Sequence, residues 1–394
     1  MQYLVTKIQA LNDQNVVGAV FLDLRKAFDL VDHDILVQKL QLYLGNSSII
    51  SFFTSYLSNR MQAVYSNGTF STTGNLKCGV PQGSILGPLL FCIYINDLPL
   101  HLKNNKVLFD LFADDSSLHC YDKNVHIVQT QLQDSINDIS DWCELNRMAI
   151  HPQKTKSMVL ATRQKHQLRP LQLNLVLNSN NIEQVREHKV LGIIIDEKMS
   201  WGSQVEYICK RVSQNIFLLS KLRCYVDTDA LKLFFFAHCL SHINYASTVW
   251  HNAADTHIKR LNSLHKRAIK IIRCTPNEST LEKYKVLEIL PLQLQLQYNA
   301  CIFMYKVYSE EVPPYLQPFF NRAPDRYGST KYIVPLPRID LYKTSLAFSG
   351  PSIWNSLPDY CRTACSLKQF KRETRQHLFA VSNMYTFTYI DITR

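Results

Sequence analysis

The sequence lacks an apolar run long enough to span a membrane. A membrane-spanning helix needs roughly 18–20 consecutive apolar residues, and the longest run, Ile85 to Ile95, is interrupted by Gly87 and Pro88. The opening segment, MQYLVTKIQALND, has an amphipathic pattern that does not resemble a secretory signal peptide. Low-complexity tracts and internal repeats are also absent from the sequence. These absences argue against membrane-spanning and repeat architectures and predict a globular protein of two or three domains.

The residue spacing that marks several kinds of site is also missing. The 11 cysteines are an odd number without a disulfide framework, which predicts an intracellular, reducing location, cytosol or nucleus. Cys361, Cys365 and His377 lack a fourth ligand at the spacing of a zinc site. The sequence contains neither a Gly-rich phosphate loop nor a recognisable Ser-His-Asp arrangement. The chemistry is therefore expected from other side chains.

Positive charge is concentrated in the second half of the chain. The net charge is +11, yet residues 1–200 contain 18 Lys and Arg against 18 Asp and Glu, whereas residues 201–394 contain 25 against 14. This asymmetry predicts that the second half meets a polyanion such as nucleic acid. The alternative is a solvated basic surface without a partner.

The segment Lys106 to Tyr121 predicts a hairpin with two aspartates at its turn. Apolar residues lead to Asp114 and Asp115, and alternating apolar residues follow. Two-residue hairpin turns favour Asn-Gly or Asp-Gly, so an Asp-Asp pair is a poor choice that brings like charges together. A local rule broken inside a consistent element often marks a functional site. The alternative is an ordinary solvated acidic turn.

A second acidic strand end strengthens the functional interpretation. Val16 to Leu24 is a short apolar run typical of a buried strand, and Asp23 lies near its end. If the two strands are neighbours, Asp23, Asp114 and Asp115 meet at one sheet edge. Three carboxylates repel one another unless a cation binds them, and such hard oxygen ligands suit Mg²⁺.

Three sequence blocks resemble those of reverse transcriptases. They are FLDLRKAFDLVDH (Phe21 to His33), GVPQGSILGPLLF (Gly79 to Phe91) and FADD (Phe112 to Asp115). Their order and spacing are similar to those of non-LTR (LINE-like) retrotransposons, and three linked blocks are far more specific than one. The resemblance covers most of the chain and is strongest from residue 16 to residue 201. The motifs at residues 348–351 and 354–358 also resemble the C-terminal tail of such elements, without an assigned chemistry.

The resemblance implies an RNA-directed DNA polymerase that uses two Mg²⁺ ions, with Mn²⁺ as a substitute. Asp23 and Asp114 are then the metal ligands, and Asp115 completes the catalytic and metal-binding triad. The primer 3′-hydroxyl would attack the α-phosphate of a dNTP, and pyrophosphate would leave. The implied partners are an RNA template, a DNA primer and dNTPs.

The same resemblance assigns Leu24, Phe28, Gln82 and Gly83 to the incoming nucleotide. In the family, an aromatic residue at the position of Phe28 packs beneath the deoxyribose and excludes a 2′-hydroxyl. The alternative for Phe28 is a core side chain, since buried Phe is common. The glutamine reaches the nucleotide and the template base, and glycine lets backbone approach the ligand.

Lys154, in the segment HPQKTK, resembles a further block of the family. A lysine there would protonate pyrophosphate or bind its charge, and the alternative is a solvent-exposed lysine. The family usually has Asn before the proline, where this chain has His151.

The predicted fold is α+β, a polymerase right-hand palm in which an antiparallel sheet has helices on one face. The palm, with a remnant of the fingers, is assigned to residues 1–197, a helical thumb-like region to 198–290, and an irregular, basic, Pro-rich region to 291–394. Helices are expected over Val125 to Leu145, Val205 to Leu222, Leu231 to Trp250 and Ile258 to Arg273. The residues predicted to track nucleic-acid phosphates are Lys210, Arg211, Lys221, Arg223, Lys266, Arg267 and Lys270.

The segment Val190 to Ile193, with Asp196 and Trp201, resembles the strand pair that grips the primer terminus, and a plain core strand is the alternative. Relative to the family, most of the fingers, an endonuclease domain and a Cys-His knuckle are expected to be missing. This leaves a second hypothesis, a catalytically inactive retroelement fragment that at most binds nucleic acid. A third, a carboxylate-metal hydrolase, ranks last because it gives Gln82 and Phe28 no role.

Overall fold

The computed structural model describes residues 2–45, 47–168, 171–251, 253–324 and 330–384. The chain divides into two compact units, residues 15–191 and residues 1–14 together with 192–394. The three-part division at 197 and 290 stays a prediction. Within the described ranges, no helix is both long enough and apolar enough to cross a membrane.

The elements up to residue 191 alternate between short strands and helices. In chain order they are α1 (Gln2–Asn12), β1 (Val16–Asp23), α2 (His33–Leu44), α3 (Ser47–Leu57), β2 (Met61–Gln62), β3 (Tyr65–Ser66), β4 (Thr69–Phe70), β5 (Gly74–Asn75), α4 (Leu86–Ile95), α5 (Leu98–His101), β6 (Leu108–Phe112), β7 (Asp115–Asp122), α6 (Val125–Leu145), β8 (Lys156–Leu160), α7 (Arg163–Leu168), β9 (Val176–Leu177), β10 (Asn180–Asn181), β11 (Glu183–Gln184) and β12 (Glu187–Val190).

The elements after residue 191 are mostly helical. They are β13 (Ile193–Asp196), α8 (Gly202–Leu222), α9 (Thr228–Phe235), a π-helix (Phe236–Leu240), α10 (Ser241–Asn244), α11 (Ser247–Trp250), α12 (Asp255–Ile272), α13 (Thr280–Val286), α14 (Leu292–Tyr308), a 3₁₀-helix (Pro314–Phe319), α15 (Asp340–Lys343), α16 (Leu346–Ser356), α17 (Asp359–Arg362) and α18 (Leu367–Met384).

A five-stranded sheet in the order β11-β8-β1-β7-β6 organises the unit of residues 15–191. The central strand β1 is antiparallel to both β7 and β8, and β6 is antiparallel to β7. The short edge strand β11 runs parallel to β8, so the prediction of a wholly antiparallel sheet is wrong at this edge. A parallel neighbour is allowed there because the chain crosses over through α7 and the β9–β10 hairpin before it returns. The predicted α+β class is confirmed.

Helix α6 covers the sheet because its apolar residues recur at helical spacing. Val128, Leu132, Ile136 and Trp142 are all buried, as the periodicity predicted. Gly18 of β1 lets this helix come close, since a Cβ there would lie 2.4 Å from Val128 Cγ1. The sheet and helix α6 thus share one core with helices α2 and α4.

The amphipathic helices α8 and α12 pack against each other in the other unit. Helix α8 buries Ile208, Val212 and Ile216, while α12 buries Leu261 and Ile269. These two helices confirm the predictions for those segments to within a few residues. The uninterrupted helix predicted over Leu231 to Trp250 is wrong, because a π-helix follows α9 and because α10 and α11 are separated.

The C-terminal region is more helical than the predicted irregular chain. Three prolines precede helices here: Pro291, Pro313 and Pro358 are the residues just before α14, the 3₁₀-helix and α17. Proline suits this position because its fixed φ and missing N–H cost a helix little at its first turn. Pro318 and Pro351 lie inside the 3₁₀-helix and α16. Irregular backbone remains at residues 320–324 and 330–339.

The tail motif of residues 354–358 holds this region together. The Trp354 indole N–H donates to Thr330 O at 2.6 Å. The Asn355 side chain accepts from the N–H of Tyr332 at 2.9 Å and donates to the carbonyl of Tyr332 at 2.7 Å. These two bonds satisfy the backbone of Tyr332 as a neighbouring strand would. Trp354 is fully buried and stacks on Phe370 of α18. The motif therefore has a structural role in the C-terminal core.

Candidate active site

Strand register brings two of the predicted carboxylates opposite each other. In the pairing of β1 with β7, Asp23 is the direct partner of Asp115. Both residues lie at the end of their strand, Asp23 as the last residue of β1 and Asp115 as the first of β7. Directly opposed residues have Cβ atoms roughly 4.5–5.5 Å apart, so two like charges are held close together.

Asp114 belongs to the turn that precedes β7. Because Phe112 pairs with Asp115, the two turn residues are Ala113 and Asp114, not the two aspartates as the sequence suggested. Ala113 has φ +54, a left-handed conformation that is uncommon for a residue other than glycine. Such strained backbone is often found at functional sites. The turn thereby displays Asp114 beyond the end of the strand.

The charges of the three aspartates act on one another. Partial loss of solvent raises the pKa of the Asp115 carboxyl, and the negative charges of Asp114 and Asp23 raise it further. One cation, Lys154, lies close by, with its Nζ 3.6 Å from Asp23 Oδ2. The site therefore holds an excess of negative charge.

Hard oxygen donors with uncompensated negative charge fit a divalent cation. The raised pKa of Asp115 supports this fit, because a bound cation would remove the repulsion that causes the shift. In the described part of the chain, no group of three or more His, Cys, Asp or Glu side chains is arranged to hold a metal ion as it stands. The donor chemistry thus fits, while the three side chains do not converge on one point.

A cleft of about 510 Å³ opens beside these carboxylates. Asp23 and Asp114 line it, and Asp115 is not among its lining residues. All four residues assigned to the nucleotide, Leu24, Phe28, Gln82 and Gly83, line the same cleft, and so does the predicted Lys154. Four lining residues were not assigned before: Lys26, Ala27, Pro81 and Pro88. Residues from four separate sequence segments are therefore brought to one concave site.

Phe28 lines the cleft and also packs on the core. Its ring stacks on Phe91 of α4 with centroids 4.5 Å apart, and it is only half-buried. The two interpretations of this residue, sugar contact and core packing, are thus compatible.

The loop with Gln82 is fixed to the segment that carries Phe28. Val80 N–H donates to Phe28 O at 2.9 Å, and Gly79 N–H donates to Val31 O at 2.8 Å. Gly79 has φ +91, and a Cβ at this position would lie 3.1 Å from Asp29 O, so glycine is required for the close approach. These contacts place the loop and Phe28 on adjoining walls of the cleft.

Lys154 is held near Asp23 by a loop that is attached to the end of β1. His151 N–H donates to Asp23 O at 2.8 Å, and His151 O accepts from Thr155 N at 3.0 Å. Because both bonds use backbone atoms, the attachment does not depend on whether the residue is His or the usual Asn. The Lys154 side chain is 64% exposed, so its ammonium group is free to meet a ligand.

Two charged residues are among those of this site that sequence reasoning missed. Lys26 lines the cleft in a left-handed conformation with φ +44. Asp29 accepts a 3.0 Å hydrogen bond from Gln82 Nε2 and so orients the amide. The available signal for Lys26 was the Arg25-Lys26 pair, two cations in a row close to Asp23. Asp29 carried no signal because its partner is distant in sequence.

The predicted nucleic-acid residues lie on the solvent side of α8 and α12. Lys210, Arg211 and Lys221 of α8 are exposed, as is Arg223 just after it. On α12, Arg267 and Lys270 are exposed and Lys266 is half-buried. The buried faces of both helices are mostly apolar, with Gln204 and His265 as exceptions, so the exposed basic residues are accessible to phosphates.

Comparison with known proteins agrees with the geometry of the cleft. Residues 2–195 match the family model described as reverse transcriptase (RNA-dependent DNA polymerase). The chain is 29% identical over 277 residues to the probable RNA-directed DNA polymerase from transposon BS of Drosophila melanogaster, covering 68% of this chain and 30% of that protein. It is also 29% identical over 272 residues to that from transposon X-element of the same species, covering 67% and 29%.

The aligned part spans about a third of the length of these curated relatives. Among solved structures, apo telomerase from Candida tropicalis matches with a TM-score of 0.38 and 12% identity, covering 78% of this chain and 54% of that one. A likeness at that level supports no conclusion about this chain. The matched domain and the transposon relatives do: residues 2–195 belong to the reverse transcriptase family, and the chain is similar to the LINE-like enzymes of non-LTR retrotransposons.

Proposed function

We propose that this chain is the polymerase part of a non-LTR retrotransposon protein and synthesises DNA on an RNA template. The observation that carries the proposal is the strand register that sets Asp23 opposite Asp115 beside the cleft. The same cleft is lined by Phe28, Gln82 and Lys154, from three other segments of the chain. Family membership supports the reaction type, and the cleft supports the assignment of residues.

Asp23, Asp114 and Asp115 would hold the divalent cations, which we propose to be two Mg²⁺ ions, with Mn²⁺ as a substitute. When bound, the ions would lower the pKa of the primer 3′-hydroxyl and neutralise negative charge on the phosphates. The remaining work falls to the protein, which has to position the reactants and provide further charge.

The walls of the cleft are suited to a deoxynucleoside triphosphate. Phe28 offers a flat apolar surface beneath the sugar, and its packing on Phe91 prevents it from moving aside. Gln82, oriented by Asp29, offers hydrogen bonds to the nucleotide. Lys154 is an exposed cation beside the carboxylates and would bind the charge of pyrophosphate or protonate it as it leaves.

RNA template and DNA primer are the proposed partners of the basic helices. Lys210, Arg211, Lys221 and Arg223, with Lys266, Arg267 and Lys270, would contact phosphates without reading sequence. Such contacts make affinity fall steeply with salt.

Primer extension tests the proposal. The purified chain is given an RNA template, an annealed DNA primer, dNTPs and Mg²⁺, beside a variant with Asp114→Ala and Asp115→Ala. Asp134→Ala is the matched control, because Asp134 is an exposed aspartate of α6. We expect extension by the parent and by the control, and none by the double variant.

Two outcomes would contradict the proposal. Equal extension by the double variant would remove the carboxylates from the mechanism. A parent that binds template and primer in a salt-dependent way but extends nothing would favour the inactive fragment.

A further inference from the structure

A ribbon of short strands between α3 and the cleft loop exposes aromatic side chains. In this ribbon β2 pairs with β5, and β3 pairs with β4 around Asn67 and Gly68. Tyr65 and Phe70 are direct cross-strand partners, 62% and 73% exposed, with ring centroids 4.7 Å apart. The two rings therefore form one aromatic surface that faces solvent.

A second aromatic surface lies at the end of α3, where the ribbon begins. The rings of Phe52 and Tyr56 are nearly parallel, with centroids 6.4 Å apart, and Phe52 is 58% exposed. The Arg60 guanidinium lies 5.5 Å from the centre of the Tyr56 ring. Arg60 O also accepts from Leu76 N at 2.8 Å, which joins this surface to the base of the ribbon. We call Phe52, Tyr56, Arg60, Tyr65, Phe70 and Lys77 together the aromatic ribbon.

The chain segment that carries the aromatic ribbon bears positive charge and no acidic residue, and Asp32, the bridge partner of the adjacent Cys78, is paired with Arg147 at 2.6 Å. The sequence from Ile35 to Asn96 contains no Asp or Glu, and its cations are Lys39, Arg60 and Lys77. Lys39 is buried and pairs with Asp97 at 2.8 Å. Neither Arg60 nor Lys77 forms an ion pair with any other residue that the structure describes. An anion that approaches this surface therefore meets cations and no carboxylate of this segment.

Hairpin stability alone accounts for only part of this pattern. A cross-strand aromatic pair does stabilise an isolated hairpin, which explains why Tyr65 and Phe70 face each other. It explains neither the exposed rings on α3 nor the absence of acidic residues. Exposed rings combined with unpaired cations are the chemistry that binds unpaired bases and their phosphates.

We propose that the aromatic ribbon binds single-stranded nucleic acid, with bases stacked on its rings and phosphates paired with Arg60 and Lys77. Stacking is tolerant of base identity, so no sequence preference is expected. The inference rests on the proposed function for one point, that the bound strand is the unpaired template. The stacking itself is argued from the surface.

Binding of a single strand by the full chain, without primer or dNTPs, tests this inference. The probes are fluorescent oligoadenylate and oligouridylate RNAs of about 15 nucleotides, the upper range of a single-strand site. The variant with Tyr65→Val and Phe70→Ile keeps apolar, strand-favouring side chains but removes the rings. We expect its Kd to rise about tenfold or more for both RNAs. Tyr121→Val, at a 44% exposed tyrosine of β7, is the matched control and should bind as the parent does.

A second pair of substitutions tests the contacts between the cations and the phosphates. Arg60→Gln with Lys77→Gln should lower the slope of log K against log salt by about 0.7 for each cation removed. Lys198→Gln, at a cation beside Glu197, is the control and should leave the slope unchanged.

Phe52→Leu, on α3, keeps the test decisive if the hairpin variant fails to fold. Weaker binding by Phe52→Leu supports the proposal, and parental binding by both aromatic variants overturns it. The proposal is also overturned if the parent self-associates and the hairpin variant loses that self-association while it binds RNA as the parent does. The aromatic ribbon would then be a protein interface. A parent that binds through the ribbon but extends no primer overturns the polymerase proposal and leaves this one standing.

Discussion

Like charges lie close together at the cleft, whereas the buried charge of the C-terminal core is surrounded by hydrogen-bond partners. At the cleft, Asp23 and Asp115 are opposed across two strands, and repulsion helps to raise the pKa of Asp115. In the C-terminal core, Arg362 is only 4% exposed, and its guanidinium donates to Asn355 O at 3.0 Å, to Leu357 O and to the Asp359 carboxylate. A protein satisfies buried charges where it needs stability. Charges left in conflict therefore indicate where a ligand is expected to complete the site.

The buried histidines of the helical unit likewise carry no unsatisfied charge. Burial lowers the pKa of His251 to about 4 and that of His265 to about 3, so both are neutral at pH 7. His265 Nδ1 lies 2.7 Å from the Tyr284 hydroxyl, and His251 Nε2 lies 3.1 Å from Ser349 Oγ. These side chains serve packing, whereas the carboxylates of the cleft keep access to solvent.

Removal of one carboxylate from the cleft should break function and spare stability. Asp23→Asn should lower primer extension by on the order of a thousandfold, because a cation ligand and its charge are lost. The melting temperature should stay the same or rise slightly, because the carboxylate opposed to Asp115 is gone. Primer-extension rates and melting temperatures of this variant and of the control Asp134→Asn measure the two effects. A large fall in melting temperature would show that Asp23 has a structural role.

A change in cleft shape should have the next largest effect. In Gly87→Ala the new Cβ would lie 2.5 Å from Pro81 O, so the loop that carries Gln82 has to shift. We expect kcat/KM for dNTPs to fall by about 10- to 100-fold, since misplacement of about 1 Å costs that much. Gly74→Ala is the control, because a Cβ there meets nothing within 4 Å. Equal kinetics for both variants would mean that the loop does not shape the nucleotide site.

Loss of the satisfied charge in the core should cost stability. Arg362→Met keeps an apolar stem but leaves the carbonyls of Asn355 and Leu357 without their donor. The free energy of unfolding should fall by about 2 kcal/mol. Denaturant titration of this variant and of Arg372→Met, at a 68% exposed arginine, measures the difference. A change no larger than that of the control would contradict the contrast between the two regions.

The smallest effect should appear in the dependence of stability on pH. The folded pKa of Asp115 is raised above its ordinary 3.8, so the folded state holds this proton more tightly than the unfolded state. The resulting stability is present in full below the unfolded pKa and is lost as pH rises through the folded pKa. Asp115→Asn should therefore flatten the fall in stability just above pH 3.8, as measured by denaturant titration across that window. The same proton competes with a cation, so Mg²⁺ should bind the parent more weakly as pH falls.

Local patterns in the sequence were sufficient for many of the elements. The repeat of Val128, Leu132 and Ile136 predicted α6. Asn67-Gly68 is a pair that two-residue hairpin turns favour, and these residues form such a turn with φ +49 and +81. Long periodic helices were predicted well because their burial depends on spacing within one segment. The helix predicted over residues 231–250 failed because the hydrophobic pattern continues through a π-helix and a left-handed Ala246, which spacing does not reveal.

The site residues were predicted from motifs, and their assembly was not. The sequence offered Asp114 and Asp115 as a turn pair, but the register makes Asp115 the partner of Asp23. Register depends on packing across the whole sheet, since a shift of one residue would turn every side chain to the other face. The Asp29–Gln82 bond joins residues 53 positions apart and had no local signal.

The sequence by itself determined the chemistry available to this protein: the aspartates, the aromatic residue, the glutamine loop and the basic second half, because residue types and spacing are local properties. The tertiary structure decided which groups meet. It placed Asp23 across from Asp115, attached the Lys154 loop through the backbone of His151, and gave the tail motif a structural role through Trp354. Those outcomes depend on contacts between distant segments, whose free energies come from packing and burial over the whole chain.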